Sequence, residues 1–244
     1  MVSRPASDDL VINVAGSLLP VAFRRNAQAK RIVMRFDAAK DEVRLTLPKR
    51  TSERKALKFA EKNIQWLIDE RAKADPITYL DHGVVVSLEG DDLRIVFNPD
   101  HKRGVVIDGD TLIVGGPCDM ASKRLLRWLK AVAKTRIAAL VQNHANTLDV
   151  TWTRLSIGDM RSRWGSCSGQ GTLRFNWRLI MAPPDIINYV AAHEVAHLIE
   201  MNHSPDFWAQ VERCTPDWRV SRRWLHKHGG RLFAVQAVET NQTG

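Results

Sequence analysis

Apolar and polar residues alternate through the first half of the chain in the manner of β-strands. Stretches rich in Val, Ile and Leu predict strands at residues 10–15, 31–37, 42–48, 83–88, 93–98, 105–108 and 111–115. Glycine-containing pairs at residues 90–91 and 108–109 suit the turns between them. One helix is predicted to interrupt the series, from Ser52 to about residue 74, on the apolar stripe of Leu57, Ala60, Ile64 and Leu67.

After Pro117 the spacing of apolar residues changes to the period of helices. Helices are predicted at residues 120–146, 184–200, 205–212 and 217–227, the last ending at Gly229-Gly230. Two further strands are predicted at residues 153–157 and 172–180, joined by a turn rich in glycine and serine at residues 165–171. Strands therefore dominate before Pro117 and helices after it, which predicts an α+β fold.

The change of pattern also predicts how the chain is divided. It indicates a β-rich N-terminal region with one helix at residues 1–116 and a second region at residues 117–244. Because the chemistry-bearing residues described below all lie in the second region, we expect the functional site there.

The composition is that of an ordinary globular protein. The chain has 244 residues, of which 44% are hydrophobic and 26% charged, enough for a sizeable core. Its apolar runs are too short to span a bilayer, and the first nine residues lack the apolar segment of a signal peptide. Cys118, Cys167 and Cys214 are odd in number and scattered, which argues against disulfides or a thiolate metal site. We therefore expect a cytoplasmic protein with no membrane partner.

The charge balance leaves room for an anionic partner. A formal net charge of +9 would attract nucleic acid or nucleotide. The last predicted helix contributes four of the basic residues, namely Arg219, Arg222, Arg223 and Lys227. Because no recognised nucleic-acid-binding motif is visible in the sequence, a solvated helix face is the simpler interpretation of these charges.

The strongest chemical signal is the run His-Glu-Val-Ala-His at residues 193–197. On a helix, His193 and His197 are four residues apart, so both imidazoles project from one face and can share a metal ion. Glu194 points about 100° around the helix and can instead accept the proton of a metal-bound water molecule. The pattern predicts a divalent metal, most simply zinc, that activates water for hydrolysis.

A catalytic zinc ion usually has three protein ligands, so a third must come from outside this pair. His203 lies ten residues after His193, beyond the predicted helix end, in the spacing of the metzincin pattern. Glu200 stands where that pattern has glycine, so the turn must be made around Met201-Asn202, and Asn tolerates left-handed backbone geometry better than other non-glycine residues. Glu212 on the following helix is the alternative ligand, whereas Glu200 lies too far along the helix to converge with the histidines.

Several separated motifs resemble one known family. They are RSRWGSC at residues 161–167, NWRL at 176–179, HEVAH at 193–197 and NHSPDFW at 202–208. In this order they resemble the YgjP-like metallopeptidase domain family, a bacterial zincin-type group related to the SprT-like and WLM proteases. The resemblance is strongest between residues 153 and 208. It extends more weakly over about residues 20–232, which would make the two regions one continuous family domain.

The resemblance implies one zinc ion per chain, or another divalent metal in its place. The ligands would be His193, His197 and His203, and Glu194 would be the catalytic acid and base. It also implies a zincin-like core in which a small sheet lies beside the metal-bearing helix. Residues 163–167 would then lie near the site, where their strand edge could pair with an extended peptide.

Three residues near these motifs are candidate contacts for the substrate or the transition state. Arg161 and Arg163 could stabilise a developing oxyanion or bind a phosphate. Tyr189 lies four residues before His193 on the same predicted face and could donate a hydrogen bond. A zinc-dependent peptidase is the leading hypothesis. A nucleoside triphosphate pyrophosphatase and a nucleic-acid-associated protease are the alternatives, because the basic residues also suit phosphate groups.

Overall fold

The computed structural model describes residues 10–38, 40–160 and 163–238. Contacts between residues divide the chain into two compact units, one ending at Ile77 and the other beginning at Thr78. Both units combine helices with sheets, so the predicted α+β class is confirmed. Residue 117, where the sequence pattern changes, lies inside the second unit, and a domain border there stays a prediction. No helix in the described ranges combines the length and the apolar character needed to cross a membrane.

The first unit contains a mixed four-stranded sheet and two helices. Its strands are β1 (Val11–Val14), β2 (Ser17–Arg25), β3 (Val33–Asp37) and β4 (Glu42–Leu47), and its helices are α1 (Glu53–Lys62) and α2 (Ile64–Lys73). The sheet order is β1-β2-β4-β3, with β2 and β4 parallel. The helices supply Ala56, Ala60 and Leu67 to an apolar core that includes Leu45 of the sheet. The single predicted helix is broken at Asn63, whose side-chain amide donates to the carbonyl of Phe59 over 2.7 Å.

Within residues 78–160 and 163–238, the second unit contains three sheets and four α-helices. Its elements are β5 (Thr78–Leu80), β6 (Val85–Leu88), β7 (Asp91–Asn98), β8 (Gly104–Asp108), β9 (Thr111–Gly115), α3 (Ala121–Leu148), β10 (Arg154–Gly158), β11 (Gly165–Cys167), β12 (Thr172–Asn176), α4 (Pro184–Ala196), α5 (Pro205–Cys214), α6 (Trp218–Phe233) and β13 (Val235–Ala237). The sheet orders are β6-β7-β9-β8, β10-β12-β11 and β13-β5.

Helix α4 is the centre of the second unit. It packs against α3, α5 and α6 and lies beside β11. Its sequence is apolar nearly all round, as expected for a helix enclosed on most sides, and Ile187, Ala192 and Val195 are fully buried. Pro184 occupies its first turn, where the missing backbone N–H costs no hydrogen bond. The helix that carries the histidines is therefore held rigidly by its surroundings.

The three-stranded sheet β10-β12-β11, called the small sheet below, differs from the sequence prediction before and after the glycine-rich turn. Residues 165–167, predicted as turn, form β11, which pairs antiparallel with β12 and places Ser166 opposite Arg174. The turn itself closes through a hydrogen bond from the N–H of Gly171 to the carbonyl of Ser168. Strand β12 ends at Asn176, rather than near residue 180, because the Asn176 side chain caps the 3₁₀ turn Trp177–Met181.

Two predicted helix ends also differ from the structure. Helix α4 ends at Ala196 rather than near residue 200, and the chain continues in tighter turns such as Leu198 N–H to Val195 carbonyl. Helix α6 runs through Gly229-Gly230 to Phe233. Gly229 serves close packing rather than termination, since a Cβ there would lie 3.0 Å from Cζ2 of Trp164.

Candidate metal centre

Three histidines converge at the end of α4. His193 lies in its last turn, His197 is its C-cap residue, and His203 follows in the loop before α5. One ring nitrogen from each lies within 4.8 Å of the others, the only group of three potential ligands found among the described residues. The Nε2 atoms of His193 and His203 face each other across 3.2 Å. The sequence prediction that these three side chains lie together therefore agrees with the geometry.

The His197 ring is oriented by the backbone. Its Nδ1 lies 2.9 Å from the carbonyl oxygen of Glu200, which can only accept a hydrogen bond. Nδ1 must therefore carry the proton, and in the neutral ring the lone pair is left on Nε2. This arrangement, a histidine that donates its other N–H to a carbonyl, is the usual one for metal ligands.

The loop that returns His203 to the helix is built by side-chain hydrogen bonds. Oδ1 of Asn202 accepts from the N–H of Ser204 over 2.8 Å, and the Ser204 hydroxyl caps α5 by accepting from the N–H of Phe207. Asn202 is not among the residues with positive φ. The predicted left-handed turn is wrong in this detail, because the Asn202 side chain closes the turn instead.

Aromatic rings of α5 enclose the histidines. Phe207 is fully buried and stacks on His197, with ring centroids 4.4 Å apart. Trp208 approaches His193 and His203 with centroids 5.9 and 5.8 Å away. The enclosure desolvates the rings of His193 and His197. Burial, with smaller contributions from the neighbouring histidines, lowers the pKa of His193 to about 3, and burial also lowers the pKa of His197. At neutral pH these imidazoles are uncharged and able to act as ligands.

Glu194 lies on the other side of α4, against β11. It is only 5% exposed, and burial raises the pKa of its carboxyl to about 8, opposed by the charge of Arg163. Gly165 makes this position available, because a Cβ at Gly165 would lie 2.6 Å from the carboxyl carbon. The buried Oε2 of Glu194 has no hydrogen-bond partner among the described residues. A carboxylate in this state suits an acceptor of protons near neutral pH.

The rival metal ligands lie elsewhere. Glu212 forms an ion pair with Arg219, with 3.1 Å between Oε1 and Nη1, and is not part of the histidine group. Glu200 contributes its backbone carbonyl to His197. Of the remaining histidines, His144 is buried in α3, where its Nε2–H donates to Oδ1 of Asn188 over 2.9 Å. None of these residues joins the converging ring nitrogens.

The candidate substrate contacts have mixed outcomes. Arg161 lies outside the described residues. Arg163 is exposed and close enough to Glu194 to influence its pKa. Tyr189 is 5% exposed and meets the His193 ring edge to face, with centroids 5.9 Å apart; burial raises its pKa to about 12. The structure thus brings both Arg163 and Tyr189 to the neighbourhood of the site, Arg163 beside Glu194 and Tyr189 beside His193.

Sequence reasoning missed the roles of two residues beside the centre. The family resemblance implied that residues 163–167 lie near the site, but Gly165 was predicted in a turn and its contact with Glu194 was not foreseen. Arg222 was interpreted as part of a solvated helix face, yet its guanidinium lies over the Trp208 ring, 5.1 Å from the centroid. The contact of Arg222 with Trp208 could not be predicted from the sequence, because it joins a residue of α6 to a residue of α5.

The donor set fits a borderline divalent metal. Three imidazoles in reach of one point are the ligands that zinc prefers among nitrogen donors, and no fourth protein ligand joins them in the described residues. The unpartnered Oε2 of Glu194 is a second indication, since a buried carboxylate oxygen needs a donor such as a ligand water.

Of the comparisons with known proteins, the match to a family model points in the same direction. The YgjP-like metallopeptidase domain family matches residues 30–228. No curated protein matches the chain. The crystal structure of the metallopeptidase zymogen abylysin from Pyrococcus abyssi is similar over 37% of this chain and 93% of its own, with 21% identity and a TM-score of 0.35. A likeness of this size supports no conclusion about fold or function.

Proposed function

The chain belongs to the YgjP-like metallopeptidase domain family, and from this premise we propose that it is a zinc-dependent peptidase with the metal held by His193, His197 and His203. The observation that carries the proposal is the convergence of three ring nitrogens within 4.8 Å beside a buried carboxylate. One metal ion per chain would satisfy this set, and a fourth position would remain for water or substrate. Zinc is the first choice and another divalent metal of similar preference the second.

Glu194 is the proposed general base. The bound metal would polarise the scissile carbonyl and make a water molecule more acidic. Oε2 of Glu194 takes the proton of the water whose oxygen attacks the carbonyl carbon. The same carboxyl then gives that proton to the amide nitrogen as the carbon–nitrogen bond breaks. Burial favours the first step, because it stabilises the protonated carboxyl that forms when Glu194 takes the proton.

Strand β11 is the proposed site of substrate pairing. It is an edge strand of the sheet β10-β12-β11, and Gly165 within it contacts Glu194. An extended peptide that pairs with this edge would carry its scissile bond past the carboxyl and the histidines. Tyr189 and Arg163 are the proposed neighbours of the transition state.

Phosphoanhydride hydrolysis is the second candidate, because the charge of Arg163 acts on Glu194 and Arg163 lines a basic pocket with Arg174. Three histidine donors favour zinc over the oxygen-ligated magnesium of most phosphoryl chemistry, which places this candidate behind the peptidase.

The test is an assay of purified, zinc-loaded protein against unstructured peptides and nucleoside triphosphates, beside the Glu194→Gln variant. We expect peptide cleavage by the wild type and its loss in the variant, with the metal content of both near one per chain. Pyrophosphate release without peptide cleavage would overturn the peptidase proposal. Loss of metal from Glu194→Gln would contradict the role given to Glu194.

A further inference from the structure

A basic pocket of about 630 Å³ opens on the small sheet. Its lining includes three arginines and four hydroxyl side chains, namely Arg154, Arg163, Arg174, Ser156, Ser166, Ser168 and Thr172. We call it the arginine pocket. Within the described residues no carboxylate and no aromatic ring lines it, and none of the three arginines forms an ion pair there. The pocket therefore offers positive charge and hydrogen-bond donors that no described part of the chain neutralises.

The register of the strands shows that the pocket lies on one face of the sheet. Ser156 of β10 and Ser166 of β11 both pair with Arg174 of β12, so the three side chains share a face. The opposite face carries Leu173 and Phe175, which are fully buried in the core. The arginine pocket is thus the outer face of the same sheet whose inner face packs against the core.

The Arg174 side chain occupies space that is free because Gly158 has no side chain. A Cβ at Gly158, the last residue of β10, would lie 2.7 Å from Nε and Nη2 of Arg174. The guanidinium of this exposed arginine therefore lies along the sheet surface over Gly158. A guanidinium held in this way has lost part of its conformational freedom before any ligand binds.

The arginine pocket lies next to the proposed path of the substrate. Trp164 and Ser168 exchange backbone hydrogen bonds with β12, through Asn176 N–H to Trp164 carbonyl and Ser168 N–H to Thr172 carbonyl. Because bonding alternates along an antiparallel pair, the N–H and C=O groups of Gly165 and Cys167 point to the open edge. A peptide paired there would place the residue opposite Ser166 with its side chain on the face of the pocket.

We propose that the arginine pocket binds an acidic side chain of the peptide substrate and makes the protein select Asp or Glu at the position opposite Ser166. This inference rests on the proposed peptidase function, because its ligand is a peptide held at β11. Nucleic acid is the less favoured ligand, since the described lining has no aromatic ring on which a base could stack. The pairing edge beside Glu194, by contrast, suits an extended peptide.

The test compares fluorogenic peptides that are identical except for Glu or Gln, scanned through each position. With zinc-loaded wild type we expect kcat/KM at one position to be roughly tenfold higher for Glu, the size of one charge-assisted contact. In Arg154→Gln/Arg174→Gln the Glu-to-Gln ratio should fall to about one. Arg154→Gln alone, a change of an exposed residue at the start of β10, should lower the ratio partway. Arg127→Gln, which removes an exposed arginine from α3, is the control and should keep the wild-type ratio.

The outcomes separate this inference from the proposed function. Cleavage of Glu and Gln peptides at equal rates in wild type, or an unchanged ratio in the double variant, overturns the inference alone. Cleavage of no peptide overturns the proposed function. In a binding arm, the Glu peptide should bind zinc-loaded Glu194→Gln protein roughly tenfold tighter than the Gln peptide. Displacement of the Glu peptide by a single-stranded oligonucleotide at lower concentration than unlabelled peptide would assign the pocket to nucleic acid and overturn the inference.

Discussion

The α-carbon of Gly165 lies directly over the carboxyl group of Glu194: a methyl group added at Gly165 would be 2.5 Å from Cγ and 2.6 Å from Cδ. Both distances are below the contact distance of carbon atoms. The glycine is therefore the reason that a buried carboxylate fits between α4 and the edge strand. It also ties the strand that would receive a peptide to the proposed general base.

Replacement of Gly165 by alanine should remove activity without removing the metal. The added methyl must displace the Glu194 carboxyl, and a misplacement of about 1 Å in a catalytic group costs on the order of a hundredfold in rate. We expect kcat for peptide hydrolysis to fall by about this factor while the zinc content stays near one per chain. Steady-state kinetics and elemental analysis on the same preparation check both values.

Gly169→Ala is the matched control, because no atom lies within 4 Å of a Cβ placed at Gly169. It lies four residues away in the turn after β11 and should keep wild-type kcat. Full activity in Gly165→Ala would contradict the placement of Glu194 under β11.

Metal removal should lower the thermal stability of the second unit. Ligand binding to the folded state adds about 2.7 kcal/mol at a metal concentration of 100 times Kd. For a unit of this size that corresponds to roughly 5–10 °C in Tm. We expect chelation to lower the Tm of the wild type by this amount and to leave the Tm of His203→Ala nearly unchanged. An equal shift in both proteins would show that the metal responsible is bound elsewhere.

The buried His144 should make stability depend on pH. Burial lowers its pKa in the folded state, partly offset by the hydrogen bond to Asn188. Above pH 6.5 the ring is neutral in both states and adds no pH dependence. Below pH 6.5 the unfolded chain binds a proton that the folded chain does not. The free energy of unfolding therefore decreases as the pH is lowered, by at most about 1.4 kcal/mol per pH unit.

His144→Gln should therefore flatten the decline of unfolding free energy below pH 6.5, measured by urea denaturation of metal-free protein. His226→Gln, which removes an exposed histidine from α6, is the control for loss of a histidine. A steeper decline in His144→Gln than in wild type would refute the assigned direction.

The sequence predicted the elements whose patterns are local. The strands at residues 42–48 and 111–115 and the helix that begins at Pro184 appear nearly as expected, because apolar period and turn residues suffice to define them. Strand β2 was not predicted, and the helix end at Gly229-Gly230 was wrong. In both cases the deciding contacts are distant in sequence, such as the pairing of β2 with β4 and the packing of Gly229 on Trp164.

The candidate site shows the same limit. His193, His197 and Glu194 follow from helix spacing, and the structure places His203 with them as the motif order suggested. Gly165 could not be assigned from spacing, because its role is a contact between β11 and α4. The arginine pocket depends equally on register, since Arg154 and Arg174 meet only when β10 and β12 pair.

The central claim is that three histidines hold one metal ion per chain, and elemental analysis tests it most directly. Wild type, His203→Ala and Glu212→Ala would be purified in parallel, dialysed against trace zinc and measured for bound metal. We expect one zinc ion per chain in wild type and in Glu212→Ala, because the Glu212 carboxylate pairs with Arg219 instead of the metal. We expect a large loss of zinc in His203→Ala. Full metal content in His203→Ala together with loss in Glu212→Ala would contradict the central claim.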